Sequence, residues 1–400
     1  MTSLLWLIAV TSSANAGSVF ATSQGPITLD LSGNWPRAYP EATGGWVMFH
    51  AGGGEFHVSR AFDDLSPNHS RDKRLTGRTD LKDHDIRPCP DGSWLQVSTA
   101  DTTGEQAHDS AYSWRYDADF NVIASGVIAE GDLSGPTYVD LPVACGTNFQ
   151  GTSFPDDLVG TQARFASVEA DGSAPKQNDL PGAPRATGAS MMEDTDGTLY
   201  MVGFLSEYSL REIVISHYDT EFRNLNTRFV QVAEEGFTPY WAQTLIRVGD
   251  FYIVSHMMRN NTLQWTQQEG DLYLTAFDLN WEKVDQLQLS RNTAPLGGMQ
   301  PYVVDKGDGT LLALYSKELY NYAFIVDLQP GVEISDPGTD TGTDTATDSG
   351  AGDDGSGDVE TGETPEPVDC ECAATPGASG LLALVVAGAA LTRRRGGRVK

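Results

Sequence analysis

Three acids could do chemistry: Asp85 in "DHDIRP", Asp140 in "PTYVD" and Glu193 in "SMME". They recur at about 50-residue intervals, one per repeat of the chain. Cleaving a glycosidic bond takes two carboxyl groups, one of them protonated, about 5 Å apart for retention or about 6.5–9.5 Å for inversion. If folding brings these acids to one channel, they are candidate catalytic residues of a glycoside hydrolase. At matching places stand Arg37, His84, Arg87, Tyr138, Tyr240, Trp241, Gln243 and Gln300, with Tyr39 and Tyr302 beside them. Flat aromatics cover C–H surfaces, while amides and guanidiniums meet hydroxyls or carboxylates, so the set suits a carbohydrate, peptide or protein ligand. The plainer alternative is that these groups only fill the channel and bond one another.

Other chemistries find no support in the sequence. There is no G-x-S-x-G elbow for a serine hydrolase and no H-E-x-x-H for zinc, so His50, His57, His217 and His256 read as strand residues. No metal and no cofactor is expected. With 55 acidic against 26 basic residues and a net charge of −29, the chain has no basic stripe outside its final eight residues to neutralise a phosphate backbone, and nucleic acid is not an expected partner. Cys89 and Cys145 lie near the ends of equivalent strands in adjacent repeats. They can form a disulfide in an oxidising compartment or remain two buried thiols.

The elements that must position these residues repeat. Asp-Gly turns occur in "PDGSW", "TDGTLY" and "GDGTLL", with "VGDFY", "ACGTNF" and "ATGGW" as looser versions. The strands after them start near Trp46, Trp94, Phe149, Leu199, Phe251 and Leu311, about 50 residues apart. A third strand in each unit ends in an aromatic or aliphatic residue and Asp: Asp63, Asp117, Asp219, Asp278 and Asp327, with the third unit obscure, near Phe165 to Gly172. These aspartates read as hairpin chemistry, since Asp bonds its own backbone and Gly accepts positive φ. Four strands per repeat describe a propeller blade. The expected fold is all-β, a single β-propeller over residues 17–333 with six blades, five or seven also fitting. The early strand "PITLDL" is expected to close the ring as an outer strand of the last blade.

The two ends of the chain give an address. Residues 1–16 carry an apolar run and finish in Ala14-Asn15-Ala16, the small-x-small pattern of a signal peptide, so export is expected. Residues 334–369 are acidic, rich in Thr, Gly and Asp and nearly free of large apolar groups, the composition of a disordered spacer. Residues 370–400 bring Cys370 and Cys372, an apolar run from Gly380 to Leu391, and Arg393, Arg394 and Arg395. As a short helix that run rises about 18 Å, less than the roughly 30 Å of a hydrocarbon core.

This tail resembles the MYXO-CTERM sorting tail of myxobacterial surface proteins. The resemblance covers the last 32 or so residues and departs from the pattern in its Ala, Gly and Val where such helices are often Leu-rich. It implies processing by an envelope sorting protease near the cysteine, attachment through Cys370 or Cys372, and arginines left on the cytoplasmic side. The expectation is a monomeric propeller anchored at the cell surface or outer membrane. It would bind an extracellular ligand or surface partner without catalysis, the glycoside hydrolase being the alternative.

Overall fold

The computed structural model describes residues 18–31, 34–52, 55–68, 72–75, 78, 80–102, 110–130, 141–155, 163–184, 189–204, 211–260, 270–290, 299–317 and 320–329. The expected leader, spacer and tail lie outside them. Strand β1 (Phe20–Leu29) comes first, and the next twenty strands form five four-stranded sheets in sequence order. Blade 1 holds β2 (Asn34–Pro40), β3 (Trp46–Gly52), β4 (Glu55–Ala61) and β5 (Lys73–Arg74). Blade 2 holds β6 (Leu81–Pro88), β7 (Trp94–Ala100), β8 (Ser110–Tyr116) and β9 (Val122–Glu130). Blade 3 holds β10 (Val143–Cys145), β11 (Gln150–Pro155), β12 (Ala163–Ser167) and β13 (Lys176–Leu180). Blade 4 holds β14 (Ser190–Glu193), β15 (Leu199–Gly203), β16 (Glu212–Tyr218) and β17 (Asn224–Gln231). Blade 5 holds β18 (Phe237–Val248), β19 (Phe251–Asn260), β20 (Gly270–Asp278) and β21 (Lys283–Gln288).

Blade 6 has β22 (Met299–Asp305), β23 (Thr310–Lys317) and β24 (Tyr320–Leu328), and its fourth strand is β1, antiparallel to β24. The sequence placed that closing strand correctly. The first strands of successive blades adjoin one another around the ring, which makes the protein a six-bladed β-propeller. Asp285 of blade 5 fastens the closing strand, accepting from Ser18 Oγ at 2.7 Å, Val19 N at 2.8 Å and Phe20 N at 3.0 Å.

The apolar core is divided among the seams between blades. Ile215, Val254 and Trp281 pack between blades 4 and 5, and Val97, Val143 and Phe154 between blades 2 and 3. Strands inside a blade are therefore covered on both faces, which suppresses the period-2 pattern: the third strand β8 is buried at every position, while the outer β9 is mostly open.

Two turn types repeat on one face of the ring. In the first, Asp91, Asp196 and Asp308 each accept from the backbone N–H and hydroxyl of the Ser or Thr two residues on, with Gly92, Gly197 and Gly309 at positive φ. In the second, Asp117, Asp219 and Asp278 each accept from the N–H groups two and four residues on. The residue three on (Phe120, Phe222, Trp281) takes a left-handed conformation near φ 60°. Such backbone costs a bulky residue about 1–2 kcal/mol, which burial of the ring offsets: Phe120 is 3% and Trp281 4% exposed. The obscure third repeat has the same turn at Glu169–Ser173, with Gly172 in the left-handed place.

Blade 1 corrects the sequence reading. Its turn starts at Phe62, with Leu65 left-handed, so Asp63 is one residue out of register, and Asp64 is the side chain that binds Ser66. Asp63 instead receives the Gly45 N–H at 3.1 Å. Asp327 lies within β24, because that strand leads to no fourth-strand turn.

These turns predict an acid limit to stability. Hydroxyl and backbone donors hold Asp64, Asp91 and Asp171 below the usual carboxylate range, and Asn121 does the same for Asp117. A depressed folded pKa contributes stability that is fully present above the unfolded value, about 3.9, and is lost as pH falls through the folded value. The melting temperature should hold steady from about pH 7 to 5 and drop steeply below about pH 4. A flat profile down to pH 2 would contradict this.

Candidate functional site

Four of the six inner strands break register near their N-terminal ends. Trp35 and Pro36 of β2 oppose His50 alone, Lys82 and Asp83 of β6 oppose Thr99, and Gln300 and Pro301 of β22 oppose Tyr315. In β18 the three residues Trp241, Ala242 and Gln243 oppose His256. The inner strands begin on the face opposite the tight turns, where each blade connects to the next, so the bulges ring the channel mouth on that connection face. Bulges free residues from the ladder and re-aim side chains, and they concentrate at barrel rims and binding sites. Pro36 and Pro301, which cannot donate to a ladder, were the sequence signal for two of them.

Deeper in the channel, side chains from several blades converge. Arg37 Nε donates to Asp85 Oδ1 at 3.1 Å, Arg87 Nε to Asp85 Oδ2 at 3.3 Å, and the Val143 N–H of blade 3 to Oδ2 at 3.1 Å. Tyr39 donates to the Ile86 carbonyl. Tyr302 of blade 6 lies beneath both guanidiniums, 4.9 Å from Arg37 Cζ and 5.6 Å from Arg87 Cζ. Arg37, Asp85 and Tyr302 are 3%, 5% and 0% exposed, so this is the built interior of the channel. Burial alone would lower the Arg87 pKa, but Asp85, Tyr39 and Tyr302 together outweigh it and the net shift is upward. Burial pushes both tyrosine hydroxyls up. His84 is buried against the Phe56 ring, centroids 4.1 Å apart.

Asp85 thus accepts from three internal donors and acts as a clamp joining blades 1, 2 and 3. Glu193 is a second clamp: it receives Asn148 N at 2.9 Å and Phe149 N at 2.9 Å in the first turn of blade 3. A Cβ on Gly146 would come within 2.1 Å of Glu193 Oε2, so that glycine makes room for the clamp. Gly146→Ala should therefore lower the unfolding free energy by about 1–3 kcal/mol, read as a lower urea midpoint. The two described acids are held by different seams. Asp140 and Tyr138 lie outside the described residues, as do the side chains of Tyr240, Trp241, Gln243 and Gln300, although their strands place those four at the mouth.

Sequence reasoning missed a third clamp. Asp194 accepts from Arg247 Nη1 at 2.7 Å and Tyr252 Oη at 2.5 Å, tying blade 4 to blade 5, and Tyr252 stacks on Trp281 at 4.3 Å. Its only trace in the sequence was an acid just before an Asp-Gly turn, which reads as turn chemistry. Cys89 and Cys145 form a disulfide between blades 2 and 3, with Cα atoms 4.9 Å apart. Among the described residues no group of three His, Cys, Asp or Glu is placed to hold a metal.

No family model and no curated protein matches the chain. Solved structures do. A protein of unknown function from Dyadobacter fermentans DSM 18053 aligns at TM-score 0.53 and 11% identity, covering 78% of this chain and 98% of that one. A streptogramin B lyase aligns at TM-score 0.42 and 10% identity, covering 77% and 98%. An endo-arabinase from Bacteroides thetaiotaomicron VPI-5482 aligns at 0.39 and 12%, covering 78% and 99%. At such identities the likeness is at most one of fold; the class, a six-bladed β-propeller, is defined by the ring of six four-stranded sheets itself.

Proposed function

We propose that this propeller is exported, held at the cell surface by its C-terminal tail, and binds an extracellular carbohydrate, peptide or protein at the bulged mouth without turning it over. The observation that carries this reading is the set of four bulges around the channel entrance, at Trp35, Asp83, Trp241 and Gln300. The clamping of Asp85 and Glu193 supports the absence of turnover. The leader-like residues 1–16, the acidic spacer and the Cys370/Cys372 tail with Arg393, Arg394 and Arg395 support display.

Intact-mass analysis of the native protein from the membrane fraction tests the address. The expected species lacks residues 1–16 and the segment after the cysteine pair, and carries an adduct on Cys370 or Cys372. A full-length, unmodified mass in the soluble fraction would overturn it. The hydrolase alternative rests on Asp140 with Asp85 or Glu193; glycan hydrolysis abolished by Asp140→Asn in a normally folded variant would establish it in place of the binding reading.

A further inference from the structure

Each blade ends in an outer strand, and an open strand edge is a template for a further strand unless shortness, charge or proline blunts it. β5 is two residues long, β13, β17 and β21 carry Lys176, Asp179, Arg228, Lys283 and Asp285, and β1 carries Pro26. In β9 no charge and no proline stands from Val122 to Ala129, and Val122, Ile123 and Val127 are 49%, 58% and 48% exposed. The strand is open on one face only. A Cβ on Gly126 would come within 2.1 Å of the Gly172 carbonyl oxygen, so the blade 3 turn covers that side, and Ile128 is buried in the seam between blades 2 and 3. Val127 is on the other face, opposite Tyr112 of β8, which packs in the core shared with blade 1; the outer strand of blade 1 is too short to cover it.

We propose that a second copy of this chain covers it: two copies meet antiparallel along β9, across a two-fold axis at Ser125, in place of the monomer expected from the sequence. The spacing is self-complementary. With Ser125 opposite itself, Ile123 of each copy falls opposite Val127 of the other, and such cross-strand partners lie about 4.5–5.5 Å apart at Cβ. Register shifts against β8 at Ile123 and Ile128 bound this stretch, and its free edge continues the sheet of blade 2 into the same blade of the second copy. The ends match in charge. In the same register the exposed Glu130 lies opposite Phe120 of the second copy, in the turn where Lys73 Nζ donates to Asn121 Oδ1 at 2.8 Å and the Asp119 carbonyl at 3.3 Å. An acid thus meets an ammonium at both ends of the contact, in a chain whose net charge of −29 opposes association along its acidic surfaces. The apolar strip is small beside the roughly 800 Å² per partner of a standard interface, so the pair is weak, with a dissociation constant on the order of 10–100 μM. This contact lies on the outer rim and does not depend on the reading of the mouth.

Sedimentation equilibrium of the full chain, from about 5 to about 500 μM, tests the association. The expected result is a monomer–dimer equilibrium that Val127→Lys weakens about tenfold or more, with the melting temperature unchanged because the side chain is exposed. Ser125→Cys tests the register. Under mild oxidation it should give a dimer whose linked peptides join position 125 of both copies, while Asn226→Cys on the outer strand of blade 4 gives no such link. A chain that stays monomeric throughout, which would leave β9 to a different partner, overturns the proposal. So does a dimer that Val127→Lys leaves intact, or cross-linking no more frequent at position 125 than at position 226.

Discussion

Asp85→Ala is expected to destabilise the propeller by about 3–5 kcal/mol, a large share of what holds a domain folded. The reason is a mismatch of charges. Removing the carboxylate leaves the buried Arg37 guanidinium and the largely buried Arg87 guanidinium without their shared partner, and strands the Val143 N–H. The substitution should lower the urea midpoint and raise the protease sensitivity of the whole chain, since the acid joins three of the six blades. Arg37→Met in the same background should recover part of the loss by removing one unpaired charge, a coupling that a double-mutant cycle reads directly. An Asp85→Ala protein as stable as the parent would mean that the acid is not a clamp, and its place in the channel would need a different account.

The second large effect comes from the disulfide. Cys89 and Cys145 are separated by 56 residues, and in the chain-entropy model closing a loop of that length stabilises by about 4 kcal/mol. Replacing both cysteines by Ala should lower the unfolding free energy by that order, and reducing agent should do the same to the parent while leaving the variant unchanged. The bond sits at the seam between blades 2 and 3 just beyond Asp85, so the two losses should be less than additive when combined. Equal stability of reduced and oxidised protein would contradict the account.

The propeller was readable because its grammar is local. Asp-Gly-Ser/Thr turns and aromatic-Asp strand ends declare themselves within five residues, and a fixed period then sets the blade count. What failed was register where the chemistry was ambiguous: in "RAFDDL" two adjacent acids compete for one turn, and the winner, Asp64, is decided by where Leu65 can bury its side chain. The third repeat hid because Glu169 stands where the turns of blades 2, 4 and 5 carry Asp, and Gly172 where they carry Phe or Trp.

The candidate site was readable in membership but not in role. Arg37, Asp85 and Arg87 could be named from strand position, yet whether Asp85 meets a substrate or two arginines is a matter of partners 48 and 2 residues away. Bulges depend on how two strands pair, so only the prolines among the bulged residues betrayed them. Inter-blade clamps such as Glu193 with Asn148, or Asp194 with Arg247, are long-range contacts with no local signature.

The central claim is that the bulged mouth holds a ligand and does not cleave it. It is tested most directly by incubating the full chain with arrays of extracellular polysaccharides and peptides, and by measuring retention and newly released reducing ends or peptide termini in the same samples. The account predicts retention on at least one polymer, weakened about tenfold or more by Trp241→Ala, with no new ends formed. Release of new ends, or retention that Trp241→Ala leaves untouched, would contradict it.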